Sequence, residues 1–137
     1  MLNRNTERKA PDGGVTKVAY DKAGNLIKET DALGHATSYR YDGAGNLTKM
    51  TEADGAVTTY EYDGNGNLTK ETDGVGGGTK ITYNAYDRPA IVEDSEGNKT
   101  TYAYTKDEQI SSITDALGHQ TSYEYNALGQ PVKATDA

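Results

Sequence analysis

Apolar residues in this chain stand singly between polar ones, and over short stretches the two kinds alternate. Leu47-Thr48-Lys49-Met50-Thr51 and Thr58-Thr59-Tyr60-Glu61-Tyr62 show the pattern. Thr- and Tyr-rich runs with alternating polarity predict strands, since these side chains fit a pleated, half-covered surface. Gly, Asp and Asn bound every run. Asp at the first turn position can accept from backbone N–H groups, and Gly at the fourth tolerates positive φ. Asp42 to Gly45 and Asp31 to Gly34 are two such turns. Strand, turn and strand predict a β-hairpin, and the whole chain an antiparallel meander of about twelve strands.

The pattern is periodic. Tyr20, Tyr41, Tyr62, Tyr83, Tyr104 and Tyr125 are spaced by 21 residues, and a second site two residues earlier holds Val18, Tyr39, Tyr60, Ile81, Tyr102 and Tyr123. A fixed period of this size is the mark of a repeat architecture. The shared unit reads Tyr-Asp-x-x-Gly-Asn-Leu-x-Lys-x-Thr-Asp-x-x-Gly-x-x-Thr-x-Tyr-x. Its turn glycines include Gly24, Gly45 and Gly66 in one phase and Gly34, Gly55 and Gly118 in the other. Residues 12–137 form one continuous array of about six units, while 1–11 match the unit poorly.

Parity sharpens the expectation. Strand side chains alternate, so Tyr39 and Tyr41 share a face. Placing Leu47 on that face predicts an odd-numbered loop at Asp42. Keeping Leu47 with Thr58, Tyr60 and Tyr62 then predicts an even-numbered loop at the Asp54 turn, so two loop lengths should alternate. Later copies drift: Pro89 and Pro131 open strands, a position proline tolerates. Thr105-Lys106-Asp107-Glu108-Gln109 lacks the turn glycine and reads as the weakest hairpin. Asp73-Gly74-Val75-Gly76-Gly77-Gly78 keeps the register and reads as a loose turn. Both ends fall inside the repeat, at Asp12-Gly13-Gly14 and at Thr135-Asp136-Ala137, as expected of a piece of a longer array.

Composition changes the picture in a few ways. Hydrophobic residues make up only 34% of the chain, which predicts a thin apolar layer in place of a thick core. The net charge of -7, with no basic cluster, argues against nucleic acid, whose binders draw affinity from neutralised phosphates. Cysteine is absent, so disulfides and thiolate metal sites are excluded. No apolar run approaches a membrane span, and the N-terminus lacks a signal-peptide core.

Candidate chemistry is sparse. His35 and His119 occupy one repeat position, four units apart and with no evident partner, so solvated turn residues are expected. Asp63-Gly64-Asn65-Gly66-Asn67 imitates the start of a calcium loop, but Leu68 and Gly74 stand where that loop needs Gly and Glu. Serines and paired carboxylates such as Glu93-Asp94 fall in repeat slots, so no catalytic residue, cofactor or metal is expected. Stacked Tyr and Lys on one face would make a carbohydrate platform, whereas tyrosine as a packing layer buries its ring while its hydroxyl finds a partner. Packing is the preferred reading.

Tyr41-Asp42-Gly43-Ala44-Gly45-Asn46-Leu47, Thr114-Asp115-Ala116-Leu117-Gly118-His119 and Tyr83-Asn84-Ala85-Tyr86-Asp87-Arg88-Pro89 resemble the YD-repeat, or Rhs, family. That family includes bacterial polymorphic toxins, the B and C components of insecticidal toxin complexes, and teneurins. The resemblance implies an all-β fold in which hairpin repeats form a curved sheet, part of a spiral β-shell. In the bacterial toxins such a shell encloses a C-terminal toxic domain. Nothing here matches the family's C-terminal autoproteolytic core. About twelve strands at ~4.8 Å give a sheet roughly 55 Å across, a panel of wall. The implied function is structural: enclosure of a toxin or other polypeptide, with the rest of the shell and the cargo as partners. The implied setting is secreted or cell-surface, with export or delivery supplied elsewhere. Edge-to-edge self-association is a further expectation. The alternative is a carbohydrate-binding or adhesion module using the Tyr/Lys face.

Overall fold

The computed structural model describes residues 4–11 and 13–137. The strands are Arg4–Lys9 (β1), Val15–Tyr20 (β2), Leu26–Thr30 (β3), Ala36–Tyr41 (β4), Leu47–Thr51 (β5), Val57–Tyr62 (β6) and Leu68–Thr72 (β7). Gly78–Tyr83 (β8), Pro89–Glu93 (β9), Lys99–Tyr104 (β10), Ile110–Thr114 (β11), Gln120–Tyr125 (β12) and Pro131–Asp136 (β13) complete them. All thirteen lie in one antiparallel sheet whose spatial order is the chain order. Twelve of these strands fall in the array read from the sequence. The additional one, β1, pairs with β2 from Arg4↔Tyr20 to Lys9↔Val15 although its sequence does not follow the repeat. Asp12, assigned to the first expected turn, lies outside the described residues, as do residues 1–3.

The alternating loop lengths do not occur. Tyr41 pairs with Leu47 and Thr51 with Val57, so residues 42–46 and 52–56 both make five-residue loops. A β-bulge makes up the difference. Arg40 opposes Lys49 while the next residue, Tyr41, opposes Leu47, which leaves Thr48 without a partner across the strand. One extra residue shifts parity by one, so Leu47 and Met50 reach the same face despite their odd spacing. The same shift recurs at Tyr20, Tyr62, Tyr83, Tyr104 and Tyr125.

Directly opposed residues share a face, and the registers therefore sort the sheet into two. One face carries Tyr39, Tyr41, Leu47, Met50, Thr58, Tyr60 and their counterparts. The other carries Ser38, Arg40, Lys49, Thr51, Thr59 and Glu61. Tyr39 pairs with Met50 and Met50 with Thr58, two residues short of Tyr60. Each unit is thus displaced by two residues along the strand from the last. A stagger of this kind tilts strands against the direction of stacking, as in sheets that curve round on themselves.

The sheet is a single layer. Among the described residues no side chain is fully buried. The accessible surface is 9692 Å², against roughly 6,900 Å² for a compact protein of this size. Ladder hydrogen bonds, cross-strand pairs and turn chemistry hold the fold in place of a core.

The turns are near copies of one another. The Asp21 amide donates to the Asn25 carbonyl at 2.9 Å and the Gly24 amide to the Asp21 carbonyl at 3.2 Å. Asp21 Oδ1 accepts from the Ala23 and Asn25 amides, both at 2.9 Å. The Asp73–Gly77 turn closes in the same way, with Asp73 Oδ1 accepting from Val75 at 3.0 Å and Gly77 at 2.8 Å, so it is no looser in its bonds than the rest. Near Gly55 the turn begins at Glu52, and Asp54, in the third position, caps the Ala56 amide at 2.9 Å. Two turns lack glycine, with Asp87 at φ 56° and Glu108 at φ 62° in its place, and the second is the poorer: the Thr105 hydroxyl accepts at 3.3 and 3.2 Å.

Candidate functional site

The sequence pointed to the tyrosine stripe, and the structure assembles it. Tyr20, Tyr39, Tyr41, Tyr60, Tyr62, Tyr83, Tyr102, Tyr104, Tyr123 and Tyr125 are all half-buried in their strands. The tyrosines that end the strands do more than cover the sheet. The Tyr41 hydroxyl donates to the Leu26 carbonyl at 2.9 Å, Tyr62 to Leu47 at 2.8 Å and Tyr83 to Leu68 at 2.7 Å. Tyr104 and Tyr125 repeat the bond to Pro89 and Ile110 at 2.6 and 2.7 Å. Each of these bonds spans 15 residues and ties one hairpin to the previous one. It lies where pairing stops: β3 and β4 are in register only from Thr30↔Ala36 to Lys28↔Ser38. The hydroxyl thus bridges two strands just beyond their last paired residues. Sequence reasoning missed these acceptors. The constant separation between the Leu position and the following Tyr was the available signal.

Partial burial holds the Tyr41, Tyr60, Tyr62 and Tyr83 phenols above their ordinary range, with nearby acidic groups adding to the effect. Tyrosine and lysine do not share a face. Lys28, Lys49 and Lys70 pair with Ser38, Thr59 and Lys80 on the side away from the rings. The combined Tyr/Lys platform considered for carbohydrate is therefore not formed, because the bulge sets Leu47 with the rings and leaves Lys49 opposite.

His35 and His119 have partners after all. His35 Nδ1 lies 2.9 Å from Asp31 Oδ2, and His119 Nδ1 3.0 Å from Asp115 Oδ2. In the neighbouring turns an asparagine amide fills this role, as Asn46 Nδ2 does with Asp42 Oδ2 at 3.1 Å. Histidine here replaces the asparagine donor. In the calcium-like segment, Asp63 Oδ1 is taken up by the Asn65 and Asn67 amides, both at 2.9 Å. Among the described residues no group of three His, Asp or Glu is placed to hold a metal. Adjacent Tyr-Asp turns also touch: Asp87 Oδ1 accepts from Asn65 at 3.0 Å and Asn67 at 2.8 Å, and Arg88 Nη2 lies 2.9 Å from Glu108 Oε2. The candidate glycines sit in these turns at positive φ, from 85° at Gly66 to 94° at Gly24, with Gly34, Gly45, Gly55 and Gly118 between.

The turn carboxylates carry a pH dependence. Side-chain bonds from Asn25, His35, Asn98 and His119 lead in holding Asp21, Asp31, Asp94 and Asp115 below the usual carboxylate range. For Asp42 and Asp63 the backbone amides of Asn46 and Asn67 lead. A depressed native pKa means stability that is complete above the unfolded value near 4 and is lost as pH falls through the native value. The melting temperature is therefore expected to hold from neutrality to about pH 5 and to fall below about pH 4. Converting Asp42 and Asp63 to Asn, the residue already present at Asn84, is expected to flatten that fall. An unchanged acid limb would show that the caps do not matter to stability.

The family model described as RHS Repeat matches residues 20–57, 44–80 and 107–137. The chain belongs to the RHS repeat family. Its matched segments begin and end within the same Tyr-Asp hairpins that the bulges and hydroxyl bonds define. A search of curated proteins returned no match. Among solved structures, this RHS repeat array superposes on a TcdB2-TccC3-Cdc42 crystal structure with a TM-score of 0.76 and 22% identity, covering 93% of this chain and 7% of that one. A Photorhabdus luminescens Tc holotoxin pore with a mutated TccC3 gives a TM-score of 0.76 at 17% identity, over 90% of this chain and 7% of that one. A TcdB2-TccC3-TEV crystal structure gives 0.75 at 17%, over 89% and 8%. At these identities the likeness shows a common fold. The RHS array spans less than a tenth of the chains it matches.

Proposed function

We propose that this RHS repeat array is a length of wall in a β-shell that encloses a toxin or other polypeptide and shields it from its surroundings. One observation carries the reading: the sheet is a single layer with no fully buried side chain among the described residues, and its rings lie half covered on one face. Such a face is stable in water at a cost that a neighbouring turn of wall, or an enclosed chain, would relieve. The staggered units supply the tilt that lets a ribbon of hairpins coil. The likeness to toxin-complex structures supports the same reading. Its action is steric, with no bond made or broken, and it goes with secretion or display at a cell surface.

Solution scattering on the isolated chain, over a concentration series, tests this. A thin, plate-like particle that associates as concentration rises, and that binds an apolar dye at its ring face, is the expected result. A compact particle that stays monomeric at every concentration would mean the sheet closes on itself, and the wall reading would be wrong.

A further inference from the structure

The face opposite the rings has a charge character that the sequence hides. The chain is acidic overall, yet the registers gather cations on this side. Arg40 directly opposes Lys49, and Lys70 directly opposes Lys80. Directly opposed like charges destabilise a sheet, so both pairs call for compensation. Lys70 finds it 3.6 Å away in Glu61. Among the described residues Lys28, Arg40, Lys49 and Lys80 have no carboxylate partner within ion-pair distance.

The chain's own acids supply it only in part: Lys80 directly opposes Glu93, but that carboxylate already lies 3.6 Å from Lys99. The turns at 31–35, 52–56, 73–77, 94–98 and 115–119 contain Asp and Glu and no Lys or Arg. Most of those carboxylates are engaged by their own turn amides, as Asp31 and Asp94 are. A second copy of this sheet would therefore present acids that are already in use.

We infer that this face docks an acidic, extended polypeptide, whose carboxylates meet Lys28, Arg40, Lys49 and Lys80. These residues lie on β3, β4, β5 and β8 and follow the stagger of the units, Lys28 level with Ser38, Arg40 with Lys49 and Lys70 with Lys80. At ~4.8 Å per strand the track from β3 to β8 is about 25 Å long, the reach of roughly seven or eight residues of extended chain. Between the cations stand hydroxyls, Ser38, Thr59 and Thr72 among them, which can bond a peptide backbone. Single-stranded nucleic acid is less suited, because its binders stack bases on aromatic rings. In this sheet the repeated tyrosines all lie on the other face. The inference goes beyond enclosure, since the face could serve a bound chain whether or not the sheet forms a closed shell.

The test is fluorescence anisotropy of a labelled poly-glutamate peptide against the full chain, with a single-stranded oligonucleotide of equal charge beside it. Saturable peptide binding is expected, weakened about tenfold in an Arg40→Gln/Lys49→Gln/Lys80→Gln variant. The charge-preserving Arg40→Lys/Lys49→Arg/Lys80→Arg variant is expected to keep it. All three side chains stand outside the turns and the ring face, and circular dichroism checks that each variant retains its strands. A single Lys80→Gln change, expected to weaken binding about twofold, is the reserve if the triple variant does not fold. No saturable binding, equal binding by a folded Gln variant, or tighter binding of the oligonucleotide would each overturn the inference.

Discussion

Replacing Tyr62 by alanine is expected to destabilise the array by about 2 kcal/mol, in two separable parts. The ring is half-buried on the sheet, so its loss exposes apolar area worth about 1 kcal/mol, well under the figure for a fully buried aromatic. The hydroxyl donates to the Leu47 carbonyl at 2.8 Å, just past the last residues that β5 and β6 pair. Removing that donor costs about 1 kcal/mol more. A Tyr62→Phe variant isolates the second part and should lose about 1 kcal/mol. Tyr86, the tyrosine outside both phases, is 70% exposed at a turn, and its alanine variant should be near neutral. Urea melts compare the three. Because repeat arrays can unfold in parts, hydrogen exchange in β5 and β6 should show the same order locally. Equal effects at Tyr62 and Tyr86 would mean that the hydroxyl bonds between hairpins do not support the sheet.

Gly66→Val is expected to cost about 2 kcal/mol, for a reason unrelated to packing. A Cβ added at Gly66 would meet nothing within 4 Å, but the backbone sits at φ 85°. A β-branched residue is strained there whatever the space around it. Gly64, two positions earlier, has equally open surroundings and no positive φ. Gly64→Ala should therefore be neutral or stabilising by about 0.5 kcal/mol. The converse change is available at Glu108, held at φ 62° where most of the other turns have glycine. Glu108→Gly relieves that strain and loses only an exposed ion pair to Arg88, for a net gain of about 0.5 kcal/mol. Melts that ranked Gly64 and Gly66 alike would sink the φ argument.

The fold class, the hairpin unit and the antiparallel meander were legible in the sequence because each rests on local chemistry. Tyr and Thr at alternate positions make a strand without help from distant residues, and Asp followed by Gly three positions on makes its own turn. His35 and His119 were placed in turns for the same reason, but their carboxylate partners at Asp31 and Asp115 were not seen. The turn holding Asp54 and Gly55 was found, but not that it starts at Glu52 with Asp54 capping it from the third position.

Other properties depend on pairing, which no single strand reveals. From the sequence, a shared face for Leu47 and the tyrosines was an assumption that the parity argument started from. Only the tertiary structure decided that a bulge at Thr48, and not a change of loop length, would achieve this, since one unpaired residue shifts parity as well as a longer loop does. That choice put Lys49 on the opposite side and brought it against Arg40, so the separation of rings from cations is a product of register. It also set the two-residue stagger between units and opened the gaps that the hydroxyls of Tyr41, Tyr62, Tyr83, Tyr104 and Tyr125 close. The sequence alone fixed what each repeat is made of; how neighbouring repeats are displaced and joined arises from hydrogen bonds between strands.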